Sequence, residues 1–276
     1  MHTKFEKAYS YAILIIISSF FIFPIYWAIT MSFKLPDQIF VIPPEFFPRS
    51  FHMDNYFEIF KNSPVMRYFL NSLIVASITV MGTIFVSTAA GFGFARYKLK
   101  TSKLTVWIVF IIRSIPGLVY IVPFYIIFQK VNLIDTLTGI VICYVTFSLP
   151  FAIWLFMGFY EELPSDIFES AIIDGCSEYG LFTTIALPLV KSGVVVISIL
   201  VFMGAWNEFT LALVLIFSED KKTLPYGINS MIQQNFDTPF GSLAAAGTIA
   251  MLPAVIFSLT TQKYIVRGLT AGAVKG

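Results

Sequence analysis

The side chains that could do chemistry in this chain are mostly carboxylates, and they are gathered in one stretch. We call residues 161–190 the insert; one base, Lys191, follows it. An acidic surface of this kind could dock a basic partner, although a solvated amphipathic loop has a similar composition. The acids of the insert are Glu161, Glu162, Asp166, Glu169, Asp174 and Glu178.

The sequence does not indicate catalysis or metal binding. The two histidines, His2 and His52, lie outside the long apolar segments. An intramembrane protease or metalloenzyme needs histidine, serine and acidic groups together at membrane depth. The cysteines, Cys143 and Cys176, have neither a zinc spacing nor the pattern of a disulfide framework. We therefore expect no catalytic residue, no metal site and two reduced cysteines.

Three polar residues lie inside apolar segments, where an unpaired charge is costly and often marks function. Arg113 is placed near the middle of its segment, while Asn207 and Glu208 are adjacent in a later one. Amides and carboxylates can bind solute hydroxyl groups, so these residues could line or gate a translocation path. They could equally hold the helix crossings between this chain and a partner chain. For Arg113, beside Pro116, the structural role is favoured; for Asn207 and Glu208 both roles stay open.

Lipid is the main solvent of this chain, because 57% of its residues are hydrophobic and only 12% are charged. Each apolar segment must be helical, since lipid offers no partner to an unpaired backbone N–H or C=O group. The predicted fold is an all-α polytopic membrane protein with one transmembrane domain over residues 1–276. Six segments are long enough to cross a hydrocarbon core about 30 Å thick, at about 9–32, 67–91, 104–128, 138–160, 191–217 and 241–264.

Basic residues predict the orientation, because they are retained on the cytoplasmic side of a membrane. The short loop from Arg96 to Lys103 holds four basic residues and no acid. This places the insert, the N-terminus and the tail 265–276 in the cytoplasm, and the loops 34–66 and 218–240 outside. The net charge of +2 is scattered, so we expect no nucleic-acid partner.

The insert reads as a helix, a turn and a second helix. Asp166 follows Pro164 and is the predicted N-cap of the first helix. Gly175 should interrupt that helix with a positive φ angle. A second helix is expected from Tyr179 to Ala186, ending before Pro188.

The insert resembles the signature loop of binding-protein-dependent ABC transporter permeases. In that family the loop forms the coupling helix, which sits in a cleft of a separate ATPase. Ser170 and Cys176 stand where the pattern usually has alanine, and Ser192 replaces a frequent proline. The residues that match are Glu169, Ala171, Asp174, Gly175, Ile185, Leu187 and Pro188. The resemblance implies that Glu169, Ser170, Ala171, Asp174, Gly175, Leu187 and Pro188 couple to the ATPase.

The similarity extends over nearly the whole chain and points to the carbohydrate branch, to the second permease of maltose-type importers. The segments that carry it are Asn55-Tyr56, Asn71-Ser72, Ala95-Arg96, Arg113 with Pro116, residues 205–209 and residues 267–276. In this family the tail reaches into the ATPase dimer interface, a role that would fall to Gly272 and Lys275. The glycine-rich tail itself, Gly268 to Gly276, is expected to form no stable helix.

The resemblance also implies the partners. The chain holds no G-x-x-x-x-G-K-[ST] loop, so ATP and Mg²⁺ are expected on a separate subunit and this chain is expected to bind no cofactor. The expected complex has a second homologous permease, two ATP-binding subunits and an extracytoplasmic solute-binding protein. It would lie in a bacterial or archaeal cytoplasmic membrane, with both termini of this chain inside.

We predict a non-catalytic permease subunit of an ATP-driven oligosaccharide importer, which forms half of the translocation pathway. Polyols and glycerol phosphate are the alternative solutes. A stand-alone membrane channel is the alternative of a different class. A secondary transporter of the repeat type would need about twice the spans and paired half-sequences.

Overall fold

The computed structural model describes residues 4–61, 63–97, 108, 111, 115, 118–234 and 240–273. Regular structure in these residues is helical, and no strand occurs among them. The chain forms two compact units. One comprises Met1–Arg67 and Gly227–Pro253, and the other comprises Tyr68–Tyr226 and Ala254–Gly276.

The helices follow the apolar segments, as expected where lipid leaves backbone groups no other partner. Glu219–Lys221 forms a short 3₁₀ turn. The helices are α1 Lys4–Ser32, α2 Pro36–Ile39, α3 Asp54–Lys61, α4 Val65–Tyr97, α5 Leu118–Lys130, α6 Leu137–Glu161, α7 Ser165–Ile173, α8 Glu178–Leu189, α9 Lys191–Trp206, α10 Thr210–Leu215, α11 Leu224–Gln234 and α12 Phe240–Ala273.

Among the described residues, four helices are long and apolar enough to cross a membrane: Tyr9–Ser32 within α1, then α4, α6, and Phe240–Phe257 within α12. They coincide with four of the six predicted spans. The shorter helix α5 covers the end of the predicted span at 104–128, much of which lies outside the described residues. Helix α9 is apolar and continues from α8 through a bend of 75°.

The predicted span at 191–217 is divided. Helix α9 ends at Trp206 and α10 begins at Thr210. At the end of α9 the Asn207 side-chain amide donates to the Met203 carbonyl oxygen at 2.9 Å, beside the Asn207 backbone N–H at 3.1 Å. Short polar side chains compete in this way for backbone partners and favour helix ends over helix interiors.

The last helix is longer than predicted. The sequence predicted a span at 241–264 and a tail unable to form a helix, but α12 continues to Ala273 and includes Gly272. That prediction is wrong as far as Ala273. Nucleation is the costly step of helix formation, so an existing helix can extend through a glycine at a cost of about 1 kcal/mol.

Glycines allow close helix contacts in the second unit. A Cβ atom at Gly91 of α4 would lie 2.6 Å from Phe156 Cβ of α6, and one at Gly82 would lie 3.2 Å from Val145. At Gly193 of α9 it would meet the ring of Phe159 at 2.8 Å. Small residues serve helix contacts in membranes because they let backbones approach.

The insert is attached to the bundle through an apolar core. Phe168 of α7 and Leu181 of α8 are buried there against residues of α4, α6 and α9. This core therefore fixes where the insert lies. Its buried members are Phe92, Ala152, Phe156, Tyr160, Phe168, Leu181, Ala186, Val190, Ile197 and Val201.

In the first unit, a polar cluster joins the end of α1 to α3. Asn55 Nδ2 donates to the carbonyl oxygens of Ser32 at 3.0 Å and Lys34 at 2.9 Å. Lys34 is buried, its ammonium donating to the Glu45 carbonyl oxygen. The Asn55 side chain thus holds the chain where it leaves α1.

The insert and the polar break as candidate functional sites

The first helix of the insert, α7, begins at Ser165, with Pro164 as its N-cap at φ −60° and ψ 131°. The prediction of Asp166 as the cap is wrong: it lies in the first turn and accepts a hydrogen bond from Ser165 Oγ at 3.3 Å. The proline provides the extended entry, because its φ is fixed and it has no N–H to satisfy. An acid in the first turn still interacts favourably with the helix dipole.

Gly175 ends α7 with φ +82°, so the predicted positive φ is confirmed. The Cys176 N–H donates to the Ala171 carbonyl at 2.9 Å, and the Gly175 N–H donates to the Ile172 carbonyl at 3.0 Å. These two bonds form a Schellman motif, which favours glycine at this position. A Cβ atom at Gly175 would meet no atom of the described residues within 4 Å. The backbone conformation, rather than crowding, therefore selects glycine here.

The second helix of the insert, α8, is capped by Ser177, whose side chain accepts from the Gly180 N–H at 3.2 Å. Its turns from Leu181 to Ala186 are of the wide π type. The helix passes Pro188 and ends at Leu189, whereas the sequence predicted an end before Pro188. Pro188 has no N–H to donate to the turn before it. The wide π turns ahead of Pro188 change the backbone hydrogen bonding there, so the helix can continue through the proline.

The insert presents a second face that the described residues of this chain leave uncovered. Ile173 is 86% exposed and Tyr179 is 78% exposed, next to the exposed acids Glu169 and Asp174. Large apolar side chains exposed beside charges are typical of a binding surface. Of the predicted coupling residues, Glu169, Ser170, Asp174, Gly175 and Pro188 are exposed, and Ala171 and Leu187 are half-buried.

The polar break is the segment Asn207–Phe209 between α9 and α10. The Glu208 carboxylate accepts from the Tyr144 hydroxyl of α6 at 2.6 Å. It also accepts from the backbone N–H groups of Leu211 at 2.8 Å and Ala212 at 3.2 Å. Glu208 thus caps the start of α10 and ties it to α6 within this chain.

Glu208 also lines a cavity of about 250 Å³, with aromatic groups on its walls. This is smaller than the roughly 300–1,000 Å³ of common small-molecule pockets. It could hold part of a polar solute or form one side of a larger path. The lining includes Tyr120, Tyr144, Phe147, Ser148, Glu208 and Leu211.

Of the other predicted path residues, only Asn207 lies among the described residues. Asn207 is exposed and its amide is bonded to Met203 of its own helix; it does not line this cavity. Arg113 lies outside the described residues. Of the two predicted tail contacts, Gly272 lies in α12 and Lys275 is outside the described residues.

Sequence reasoning missed a polar network at the end of α6 away from the insert. We call it the clasp, formed by residues 131–136, residues 216–224 and the start of the second unit at Tyr68–Ser72. Asp135 Oδ1 accepts from the N–H groups of Phe217 at 3.0 Å and Ser218 at 2.9 Å. Lys221 Nζ donates to Asp135 Oδ2 at 3.1 Å and to the Asp135 carbonyl oxygen at 2.7 Å.

The charge of Asp135 is stabilised by this network. Burial raises the pKa of the carboxyl group, but hydrogen bonds from Ser218, Phe217 and Lys221 outweigh it and hold the pKa well below its usual value. Asp135 has φ +56°. An Asn or Asp between two apolar segments is a turn signal that could have located this loop, but not its partners.

The other half of the clasp joins the loop 218–224 to α4. Asn71 Nδ2 donates to the carbonyl oxygens of Asp220 and Lys222, both at 2.9 Å. The Leu224 N–H donates to Ser72 Oγ at 2.8 Å. The pair Asn71-Ser72 therefore serves as an anchor for this loop. Glu219 accepts from the hydroxyl of Tyr68 and the ammonium of Lys222.

Comparison with known proteins gives consistent matches. Residues 84–271 match the family described as binding-protein-dependent transport system inner membrane component. The chain is 32% identical over 255 residues to the sulfoquinovosyl glycerol transport system permease protein SmoH of Agrobacterium fabrum, covering 92% of this chain and 89% of that protein. It is 33% identical over 258 residues to the trehalose/maltose transport system permease protein MalG of Thermococcus litoralis, covering 92% of each.

The fold also matches a solved structure, a bacterial ABC transporter involved in the import of the acidic polysaccharide alginate. The TM-score is 0.82, with 17% sequence identity, over 96% of this chain and 99% of that chain. At this identity the likeness concerns the fold alone.

Proposed function

The chain belongs to the family of binding-protein-dependent transport system inner membrane components, and we propose that it is the permease subunit of an ATP-driven oligosaccharide importer. It has the type I permease fold and is a multi-pass membrane protein. The observation that carries the proposal is the insert: one face is packed into the bundle, and the other presents acids and apolar side chains that the described part of the chain leaves uncovered.

In the proposed mechanism the insert is the coupling element. Glu169, Ser170, Asp174 and Gly175 form the docking end of α7, and the Schellman motif gives that end a defined shape. A separate ATPase subunit, which holds ATP and Mg²⁺, pushes on this end when its nucleotide domains close. The apolar core behind Phe168 and Leu181 then transmits the displacement to α4, α6 and α9. This chain itself has no catalytic role.

The proposed solute class rests on the relatives, whose printed names include a sulfoquinovosyl glycerol and a trehalose/maltose transport system. Hydroxyl-rich solutes suit the cavity beside Glu208, where a carboxylate, tyrosine hydroxyls and aromatic walls meet. Such groups can bind sugar hydroxyls by hydrogen bonds and sugar faces by packing. Polyols and glycerol phosphate offer similar hydroxyl groups and remain the alternative solutes.

The proposed complex contains a second homologous permease, two ATP-binding subunits and an extracytoplasmic solute-binding protein. The most apolar part of the span Tyr9–Ser32 in α1 is not buried by the described residues of this chain. This exposure supports contact of α1 with lipid or with a further subunit. In this proposal the insert and both termini lie in the cytoplasm, and the clasp faces the binding protein outside. The membrane would be the cytoplasmic membrane of a bacterium or an archaeon.

Reconstituted transport tests this function. The complex purified through this chain should contain an ATPase and, with its binding protein, should import a labelled oligosaccharide in a vanadate-sensitive way. Polyol and glycerol phosphate uptake would be measured in parallel. Uptake that needs neither ATP nor an ATPase subunit would instead identify a channel.

The tail can be tested in the same preparation. Deleting residues 268–276 should reduce the stimulation of ATPase activity by the loaded binding protein while the complex still assembles. Unchanged stimulation would remove Gly272 and Lys275 from the coupling machinery.

A further inference from the structure

A second cavity, which we call the insert cavity, lies where α4 and α6 end and α7 begins. Its volume is about 550 Å³. Because α4 and α6 are membrane-spanning helices, their ends mark the level where the hydrocarbon core gives way to lipid headgroups and water. The residues that matter for its chemistry are Phe92, Arg96, Tyr160, Glu161, Phe168 and Glu169.

Two buried hydrogen-bond donors at this cavity have no partner among the residues that the structure describes. Tyr160 is only 4% exposed, its ring packed against Phe92 at 5.5 Å and Phe156 at 6.3 Å between centroids. Its hydroxyl makes no hydrogen bond within the described part of the chain, and neither does the buried Nε of Arg96. Buried polar groups are nearly always satisfied in native proteins, because leaving one unpaired costs about 1–3 kcal/mol. The pair therefore indicates a missing acceptor.

The guanidinium group of Arg96 gives the wall of the cavity a positive charge. The guanidinium carbon lies 5.8 Å from the ring centroid of Phe168, a cation–π contact. A cationic ligand would be repelled from this part of the cavity. A ligand group with anionic oxygens would be favoured, because arginine binds phosphate and carboxylate well.

The opposite charge lines the same cavity nearer to solvent. Glu161 and Glu169 are exposed and belong to its lining. They would repel a simple anion such as free phosphate, but they would attract an ammonium group. Donors in the buried part and carboxylates in the exposed part together match a zwitterion whose anionic end points inward.

We propose that the insert cavity binds a phosphoethanolamine-type zwitterion. Its phosphate accepts hydrogen bonds from Arg96 and the Tyr160 hydroxyl, and its primary ammonium donates to Glu161 and Glu169. At the level of the headgroups, one source is phosphatidylethanolamine in the bilayer, since basic pockets between spans bind lipid headgroups. A soluble molecule with the same zwitterionic group is the other source.

The binding site has a consequence for the insert. Phe168 and Glu169 belong to α7, while Arg96 and Tyr160 belong to α4 and α6. An occupant would therefore bridge α7 to both spans and fix the insert against the bundle. This consequence rests on the proposed function, whereas binding itself does not.

Lipid retention tests the proposal. The full-length chain, purified in the complex it forms, is placed in nanodiscs of phosphatidylethanolamine mixed equally with phosphatidylcholine and phosphatidylglycerol. After extraction and washing, the lipid retained on the protein is measured by mass spectrometry. Phosphatidylethanolamine should be retained in preference to phosphatidylcholine, which has no ammonium N–H, and to phosphatidylglycerol, which has no cation.

Conservative variants test the residues. Tyr160→Phe keeps the ring and removes one hydroxyl, and Glu161→Gln removes one charge; each should lower the retained phosphatidylethanolamine by roughly tenfold. The matched controls are Tyr11→Phe, an exposed tyrosine of α1, and Glu162→Gln, an exposed acid that does not line the cavity. The controls should retain lipid as the unaltered chain does.

A competition arm separates the two sources. If soluble phosphoethanolamine at millimolar concentration displaces the lipid, the site accepts the free zwitterion; if it does not, the site selects the lipid. Equal retention of the three lipids, preference for phosphatidylglycerol, or retention unaffected by both Tyr160→Phe and Glu161→Gln would each overturn the proposal. ATPase coupling can be normal in every one of these cases, so the outcome is independent of the proposed function.

Discussion

The clasp and the insert are both attached to the helices of the second unit, but by different forces. At the clasp, Asp135, Glu219 and Asn71 join separate segments through directed hydrogen bonds. At the insert, the contacts to the bundle are mainly apolar, through Phe168 and Leu181. Directed bonds fail when their atoms shift by a fraction of an ångström, whereas apolar contacts tolerate sliding because they are non-directional.

This difference in contacts suggests that the two regions have different mechanical roles. The clasp holds the loop 216–224 in one geometry against α4 and the start of α6. The insert can be displaced as a body while it keeps its apolar core. The cavity beside Glu208 lies in the same unit as the clasp and the insert. A displacement of the insert against a fixed clasp would therefore act on the helices that line this cavity.

The largest expected effect is at Gly175. Gly175→Asp should abolish uptake and weaken ATPase association, because the new side chain extends from the docking end of α7 and the residue must keep φ near +82°. Gly175→Asn is the matched variant, since Asn adopts positive φ more readily than most residues. Uptake in whole cells and ATPase co-purification measure the effect; normal uptake by Gly175→Asp would falsify the coupling assignment.

A smaller effect is expected at Glu208. Glu208→Ala removes three hydrogen bonds and should destabilise the complex by about 2–4 kcal/mol, seen as lower yield and lower melting temperature. Tyr144→Phe removes one of these bonds and should cost about 1–2 kcal/mol.

Glu208→Gln separates the two roles of this residue. The amide oxygen can still cap α10, so assembly should be kept. A loss of uptake at normal yield would place Glu208 in the translocation path. Normal uptake at normal yield would limit the residue to its structural role.

Acid should weaken the hydrogen bonds that Asp135 makes in the clasp. The pKa of Asp135 is lowered in the folded protein, so its stabilisation is complete above the ordinary Asp pKa of about 3.9 and is lost as the pH falls through the lower, folded value. Asp135→Asn should destabilise by about 1–3 kcal/mol at pH 7 and flatten the acid dependence of unfolding. Melting temperatures in detergent from pH 3 to pH 7 check this, with the exposed Asp54→Asn as control.

The smallest effect is expected at Ser177. Ser177→Ala removes the cap of α8 and should cost about 1 kcal/mol. Since this bond is local to the insert, hydrogen exchange should rise in α8 and remain unchanged in the clasp. A rise in both regions would show that the two ends are more tightly connected than their contacts indicate.

The sequence predicted those turns, helix ends and spans that depend only on neighbouring residues. The position of Gly175 at a helix end and its positive φ follow from glycine chemistry, and four long spans follow from apolar length. The second helix of the insert was expected, but its passage through Pro188 depended on wide turns at Leu181–Ala186. The sequence did not predict Pro164 as the N-cap, because Asp166 belongs to the residue types that most often cap helices.

Features that depend on distant partners were beyond such reasoning. Asn207 and Glu208 are adjacent in sequence and share one motif, yet only Glu208 reaches Tyr144, which is 64 residues away. The two unpartnered donors of the insert cavity come from different spans, so no spacing in the sequence relates them. Asn71-Ser72 was visible as a motif, but its role as an anchor for the loop at 220–224 was not.

The sequence by itself determined the lipid environment of the chain, its helical class and the turn at Gly175, because hydrophobicity and backbone preference act over a few neighbouring residues. Only the tertiary structure decided which polar groups are satisfied. It showed a closed network at Asp135 and Glu219, a capped break at Glu208, and a cavity where Arg96 Nε and the Tyr160 hydroxyl have no acceptor among the described residues. The physical reason is that a hydrogen bond requires two groups within about 3 Å of each other, and packing alone brings residues of different helices that close.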